Sequence, residues 1–292
     1  METAEPEKPK EEPTTPAKEE TKTDKAATTP AAADNKDKRG TKRKREDEPY
    51  VVNEDEPEIP EDFICLDWFN SDLTMKINKE NFSAAEPFHV AAWGYIFSSA
   101  RATHGFTSGK IAFEVKWTKN MEVKLDDVKE PHELRVGWSS DDCNLQLGES
   151  AKSYCVNNLA KKAHNMEFED FEGCNYTTGD VITCSADFDS DNVTIAYAKN
   201  GEDFGETFTF SKSTLEGKPL FPHVSSRNVK FEINFGADKE GKPRENWFEK
   251  PEGFSMAAEQ VATAQRGMAR ELFFGAGNRL FSRLIRLRSS SD

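Results

Sequence analysis

Five histidines (His89, His104, His132, His164, His223) and five cysteines (Cys65, Cys143, Cys155, Cys174, Cys184) are the side chains here whose types could ligate a metal or pair as nucleophile and base. Their spacing supports neither chemistry. No HExxH occurs, no His pairs with a motif-borne Ser or Cys, and no Cys pair has the CxxC spacing of a zinc site. Cys155 and Cys184 sit in alternating apolar runs and read as small core residues. His223, next to Pro222, reads as a structural polar residue at a strand edge. Asp187-Phe-Asp-Ser-Asp191 places carboxylates at i, i+2 and i+4, but it lacks the Gly and trailing Glu of a calcium loop and reads as a solvated hairpin turn. Gly94, Gly105 and Gly109 flank strands with no helix start behind them, so they read as turn and bulge glycines rather than a phosphate cradle. The Gly-Lys pairs at 109, 217 and 241 are followed by Ile, Pro and Pro, so no GxxxxGK[ST] loop exists. The expectation is a non-enzymatic chain with no catalytic residue, metal or cofactor.

Recognition is the chemistry left. Residues 39–45 hold five basic and no acidic side chains, and residues 46–62 hold nine acidic and no basic ones. Lys42, Arg43, Lys44 and Arg45 form a compact basic run in a polar segment, the form in which import receptors bind a nuclear signal. A charged linker or a weak nucleic-acid contact is the plainer reading of the same residues. At the other end Arg279, Arg283 and Arg286 fall within about 60° on a helical wheel, opposite Leu280, Phe281, Leu284, Ile285 and Leu287. Such a stretch suits a partner's groove, an acidic membrane surface or a return onto the chain's own acidic centre, or it is an alternative ending with no selected role. Gly275, Gly277 and Ser282 weaken it as an isolated helix.

The elements between these ends carry an all-β pattern. Composition is polar, with 36% hydrophobic and 32% charged residues and a net charge of −14, which implies unstructured flanks beside one core. Residues 1–38 contain no aromatic residue and no periodicity, so residues 1–62 are expected to be a disordered arm. From Phe63 the period is two: Ile111, Phe113, Val115 and Trp117 share one face, and 180–188, 193–197, 229–235 and, less cleanly, 134–138 alternate likewise. Thr178-Gly-Asp180, Asp189-Ser-Asp-Asn192 and Lys199-Asn-Gly201 supply turns between them. Short strands with one apolar face must pack as two sheets, which makes an antiparallel β-sandwich over 63–251 with Trp138 and Phe235 in its core. Residues 252–292 form a short Arg-rich tail whose pattern allows a helix. The segment 63–252 carries 21 basic and 31 acidic side chains, a poor platform for a phosphate backbone. No apolar stretch is long enough for a signal peptide or membrane span, so an intracellular, reduced protein is expected.

At these strands the sequence resembles the SPRY family. The pieces that carry the resemblance are, in order, Gly105-Phe-Thr-Ser-Gly-Lys-Ile-Ala-Phe-Glu-Val115, Leu134-Arg-Val-Gly-Trp-Ser139, Gly179-Asp-Val-Ile-Thr-Cys-Ser-Ala-Asp187, Ala198-Lys-Asn-Gly-Glu-Asp-Phe-Gly205, Pro219-Leu-Phe-Pro-His-Val224 and Ile233-Asn-Phe-Gly236. The basic run before Glu46, the segment Cys65-Leu-Asp-Trp-Phe-Asn-Ser-Asp-Leu-Thr-Met-Lys-Ile77 and Gly217-Lys-Pro-Leu-Phe-Pro-His223 resemble most the SPRY region of heterogeneous nuclear ribonucleoprotein U and its relatives. That resemblance implies a nuclear adaptor in RNA processing or chromatin-associated regulation, binding a protein or peptide through SPRY loops. The SAP, P-loop and RGG parts of those relatives have no counterpart here, so direct RNA binding through the basic flanks stays the alternative. The loops of peptide-binding SPRY domains correspond here to Ser99–His104 and Ser139–Ser153, with Arg101 and His104 as the ligand-binding candidates. An ordinary surface salt bridge is the plainer reading of Arg101.

Overall fold

In a computed structural model of the chain, residues 59–267 are described. Two antiparallel sheets, their strands numbered in chain order, make a sandwich. The first runs β1 (Leu66–Ser71), β4 (Ser98–Ala102), β14 (Phe221–Arg227), β7 (Glu133–Ser139), β8 (Ser153–Asn157), β9 (Lys161–His164) and β10 (Glu167–Asp170). The second runs β13 (Glu202–Ser211), β12 (Asn192–Lys199), β11 (Val181–Asp187), β6 (Lys110–Asn120), β15 (Val229–Asn234), β3 (Ala84–Pro87) and β2 (Met75–Ile77). A small third pairing joins β5 (His104–Gly105) to β17 (Gln265–Arg266), and β16 (Ser255–Met256) lies parallel to β6. The hairpin between β12 and β13 turns on Asn200 and Gly201, both at positive φ (50° and 84°), the pair a tight primed turn requires. Asn200 Oδ1 also accepts from the Val181 amide at 2.8 Å, which fixes that turn against β11.

The core forms where alternating faces meet. Ile111, Phe113, Val115 and Trp117 of β6 are buried against Leu134, Val136 and Trp138 of β7 and Val224 of β14. Trp138 sits edge-on to Phe113, Phe188 and Phe106, with ring centroids 5.0, 5.8 and 6.5 Å away, so one ring ties both sheets together. Phe235, just past β15, is buried 6.2 Å from Phe113. Gly137 allows the sheet to close at β8, because a Cβ there would fall 2.0 Å from the Tyr154 carbonyl oxygen.

Two features differ from simple alternation. The outward polar face of β6 is covered: Glu114 is buried and accepts from Asn234 Nδ2 and from the Trp247 and Phe248 amides at 2.9–3.0 Å. The packed unit also extends past Pro251, since β16 takes the edge of β6 beyond the last residue of β15 and Ala257 enters the main core. The arm to residue 58, with Lys42–Arg45, and the tail from residue 268 lie outside the described residues.

Candidate functional site

The outer face of the first sheet shows first what is not a surface site. Segment 98–102 reads locally as a loop of small residues, but it is β4, wholly buried between β1 and β14. Arg101 is 1% exposed. Its Nε donates to Ser139 Oγ at 2.7 Å, its Nη1 to Asn70 Oδ1 at 2.9 Å, and its Nη2 to the carbonyls of Cys143 and Asn144 at 2.8 and 2.5 Å. Burial pushes the guanidinium down to about 10, which leaves it charged at neutral pH. The expectation of a ligand-reaching Arg101 is therefore corrected: its fork pins segment 139–153 onto the sheet. Ser225 Oγ and Arg135 Nη1 donate to the Leu145 and Leu147 carbonyls in the same way, at 3.5 and 3.2 Å.

His223 is also corrected, from a strand edge to the middle of β14, fully buried, with Nδ1 2.7 Å from Ser139 Oγ. This Ser–His pair is sealed from solvent and holds strands, not substrate. His104 too is buried, with Nδ1 2.9 Å from Thr103 Oγ1 and Nε2 3.0 Å from the Glu61 carbonyl, so it fastens the incoming chain. Burial, reinforced by Arg266, pushes its imidazole down to about 4, and burial pushes His223 well below the usual range. Below pH 6.5 the unfolded chain takes up protons that these folded histidines refuse, so stability falls as pH drops from 6.5 towards 4. Asp142 is raised by burial but held down at about 2 by Lys218 and Lys152, so it stays ionised across that window. Thermal melts between pH 7 and 4 should therefore show a loss of up to ~3 kcal/mol from His104, and His104→Gln should flatten the slope.

The exposed chemistry lies elsewhere, on the segment after β3. Pro87 closes that strand, and the 3₁₀ turn Ala91–Tyr95 follows, opened by Ala91 in the left-handed region (φ 53°). The base of this segment is tightly held. Asn228 Nδ2 donates to the Gly94 and Pro131 carbonyls at 2.8 and 2.7 Å, and the Asp126 amide donates to Tyr95 Oη at 3.1 Å. Phe97 lies under Arg135 and Arg227, 4.1 and 5.0 Å from its ring centroid, and both cations pair with Glu133. On this anchored base stand Phe88, Val90, Trp93, Tyr95 and Ile96, each 43–66% exposed, with Leu73 fully exposed beside them. A groove of ≈ 680 Å³ runs between Asp72, Leu73, Trp93, Tyr95, Ile96 and Phe97. Asp72 accepts from the Ser99 amide at 2.8 Å, and partial burial raises its carboxyl.

Leu73, Trp93, Tyr95 and Ile96 thus form an exposed apolar patch on a hydrogen-bonded base with the Asp72 carboxylate at its rim, the kind of surface on which docking sites are found. Trp and Tyr faces take aliphatic anchors or a Lys or Arg cation, and Asp72 favours the cation. The sequence signal was present as Phe88-His-Val-Ala-Ala-Trp-Gly-Tyr-Ile-Phe97, a run rich in aromatics but without period two. Among the described residues no His, Cys, Asp and Glu group could hold a metal, and no helix is long and apolar enough to cross a membrane.

With this geometry in place, comparison with known proteins gives the family. Residues 110–238 match the SPRY domain family. That stretch is a SPRY domain. The chain is 35% identical over 248 residues to human "Heterogeneous nuclear ribonucleoprotein U-like protein 2", covering 77% of this chain and 32% of that protein. To the mouse protein of the same name it is 39% identical over 191 residues, covering 65% of this chain and 25% of that protein. The chain thus spans a third or less of the length of these relatives. The crystal structure of the SPRY domain of human HERC1 aligns with a TM-score of 0.44 at 18% identity, over 58% of this chain and 96% of that one. The platform of Phe88–Phe97 precedes the segment matched as SPRY and is built onto the same two sheets.

Proposed function

We propose that this chain is a non-enzymatic SPRY adaptor whose platform captures a partner segment of apolar anchors flanked by basic residues. The observation that carries this is the exposed cluster of Leu73, Phe88, Trp93, Tyr95 and Ile96 standing on an anchored base. Large aromatic groups held rigidly lose little conformational entropy on binding, which is why they dominate docking surfaces. The setting we propose, RNA processing or chromatin-associated regulation in the nucleus, rests on the similarity to the U-like ribonucleoproteins and on Lys42–Arg45 as an import signal. Direct RNA binding is a second reading, favoured by the five basic and no acidic side chains of residues 39–45. The region 59–267 disfavours phosphate, with 34 acidic against 22 basic side chains.

A library of short peptides, with apolar anchors flanked by either Arg and Lys or Asp and Glu, tests the platform. The basic-flanked set should bind, and Trp93→Ala should weaken it about tenfold or more. The same change should leave the melting temperature within a few degrees, because the side chain is half exposed. Equal binding of both sets, or full binding by the Trp93→Ala protein, would retire the platform.

A further inference from the structure

We infer that the platform has a ligand within the same chain: residues 279–288 dock into the groove between Leu73 and Trp93. This rests on the platform reading above and names an occupant for it. Three observations converge on it. The first is where the described chain stops. The Gly267 amide donates to the Thr103 carbonyl at 3.0 Å, and a Cβ on Gly267 would stand 3.7 Å from Asn70 Nδ2. Asn70 is two residues before Asp72, and Thr103 lies six residues along extended backbone from Phe97 on the other wall, so the last described residue stands roughly 10–20 Å from the groove.

Length is the second. Eleven residues lie between Gly267 and Arg279, enough to span up to ~40 Å when extended. No long loop has to close, so the tethered segment is presented to the groove at high effective concentration. Composition is the third. Residues 279–288 contain Arg279, Arg283, Arg286 and Arg288 and no acidic residue, interleaved with Leu280, Phe281, Leu284, Ile285 and Leu287. At helical spacing the apolar set forms one broad face and the first three arginines the other. That is the chemistry the site asks for: apolar anchors for Trp93, Ile96 and Leu73, and a cation for Asp72. A partner segment then has to displace the chain's own, which makes the tail a competitor at the adaptor site.

The test uses the full chain with Phe281→p-benzoylphenylalanine, irradiated and mapped by peptide mass spectrometry. Cross-links should fall on Leu73 or on the segment 88–97, at a yield unchanged over a hundredfold dilution. They should be lost in combination with Trp93→Ala. In the full chain, Leu284→Asp with Ile285→Asp should free the groove and raise its affinity for basic-flanked library peptides at least fivefold. Cross-links elsewhere on the sandwich, or none, overturn the inference. A yield that rises in proportion to concentration also overturns it, by placing the tail on a second copy. If the tail fails but library peptides still bind in a Trp93-dependent way, the platform stands without this ligand; if those peptides fail as well, the platform falls with it.

Discussion

Arg101→Ala is expected to destabilise the domain by ~3–5 kcal/mol, through loss of charge-assisted hydrogen bonds and through the cavity left behind. Truncation strips four hydrogen bonds from a side chain that is 1% exposed. Asn70 Oδ1 and the Cys143 and Asn144 carbonyls would be left without the donor that now satisfies them. Segment 139–153 would then lose its central anchor to β4. Arg101→Lys should recover little, because an ammonium cannot reproduce a planar fork that reaches four acceptors in three directions. Urea unfolding checks this. A wild-type midpoint for Arg101→Ala, together with lost peptide binding, would return Arg101 to the role of a surface ligand.

Trp138→Ala is expected to be as severe. The ring is fully buried and packs edge-on against Phe106, Phe113 and Phe188, drawn from both sides of the sandwich. Removing a buried Trp typically costs ~3–5 kcal/mol, which for a domain of this size lowers the melting temperature by roughly 6–20 °C. Its indole N–H finds no acceptor among the described residues, so the destabilisation comes from lost packing rather than from a broken hydrogen bond. Trp138→Phe keeps most of the apolar contact and should cost well under half as much. A calorimetric shift within error for Trp138→Ala would mean that this ring does not join the sheets.

The two tryptophan replacements proposed here separate stability from recognition. Trp93 and Trp138 are the same residue type, yet one stands 49% exposed on an anchored turn and the other lies at the centre of the core. Trp93→Ala should therefore read out in binding and Trp138→Ala in melting.

The strands and the core of this protein follow from local pattern. A period of two in β6, β11, β12 and β15 selects which side chains share a face, and a half-polar strand has no stable arrangement except against another sheet. Asn200-Gly201 selects its hairpin because those residues tolerate positive φ. Trp138 and Phe235 could be placed in the core for the same reason. Tertiary structure decided the rest, because burial of an outward face depends on what long-range neighbours lay over it. Segment 98–102 has small residues and little apolar alternation, so it reads as a loop; β14, more than a hundred residues later, gives it a ladder, and segment 139–153 roofs it over. That roof turns Arg101 from an apparent surface group into a buried fastener and seals His223, read as a structural residue at a strand edge, inside the fold. The opposite happens at Phe88–Phe97, where an apolar run that could have been core is left uncovered among the described residues. Periodicity reports which side a residue faces, and only the folded chain settles whether that side meets protein or water.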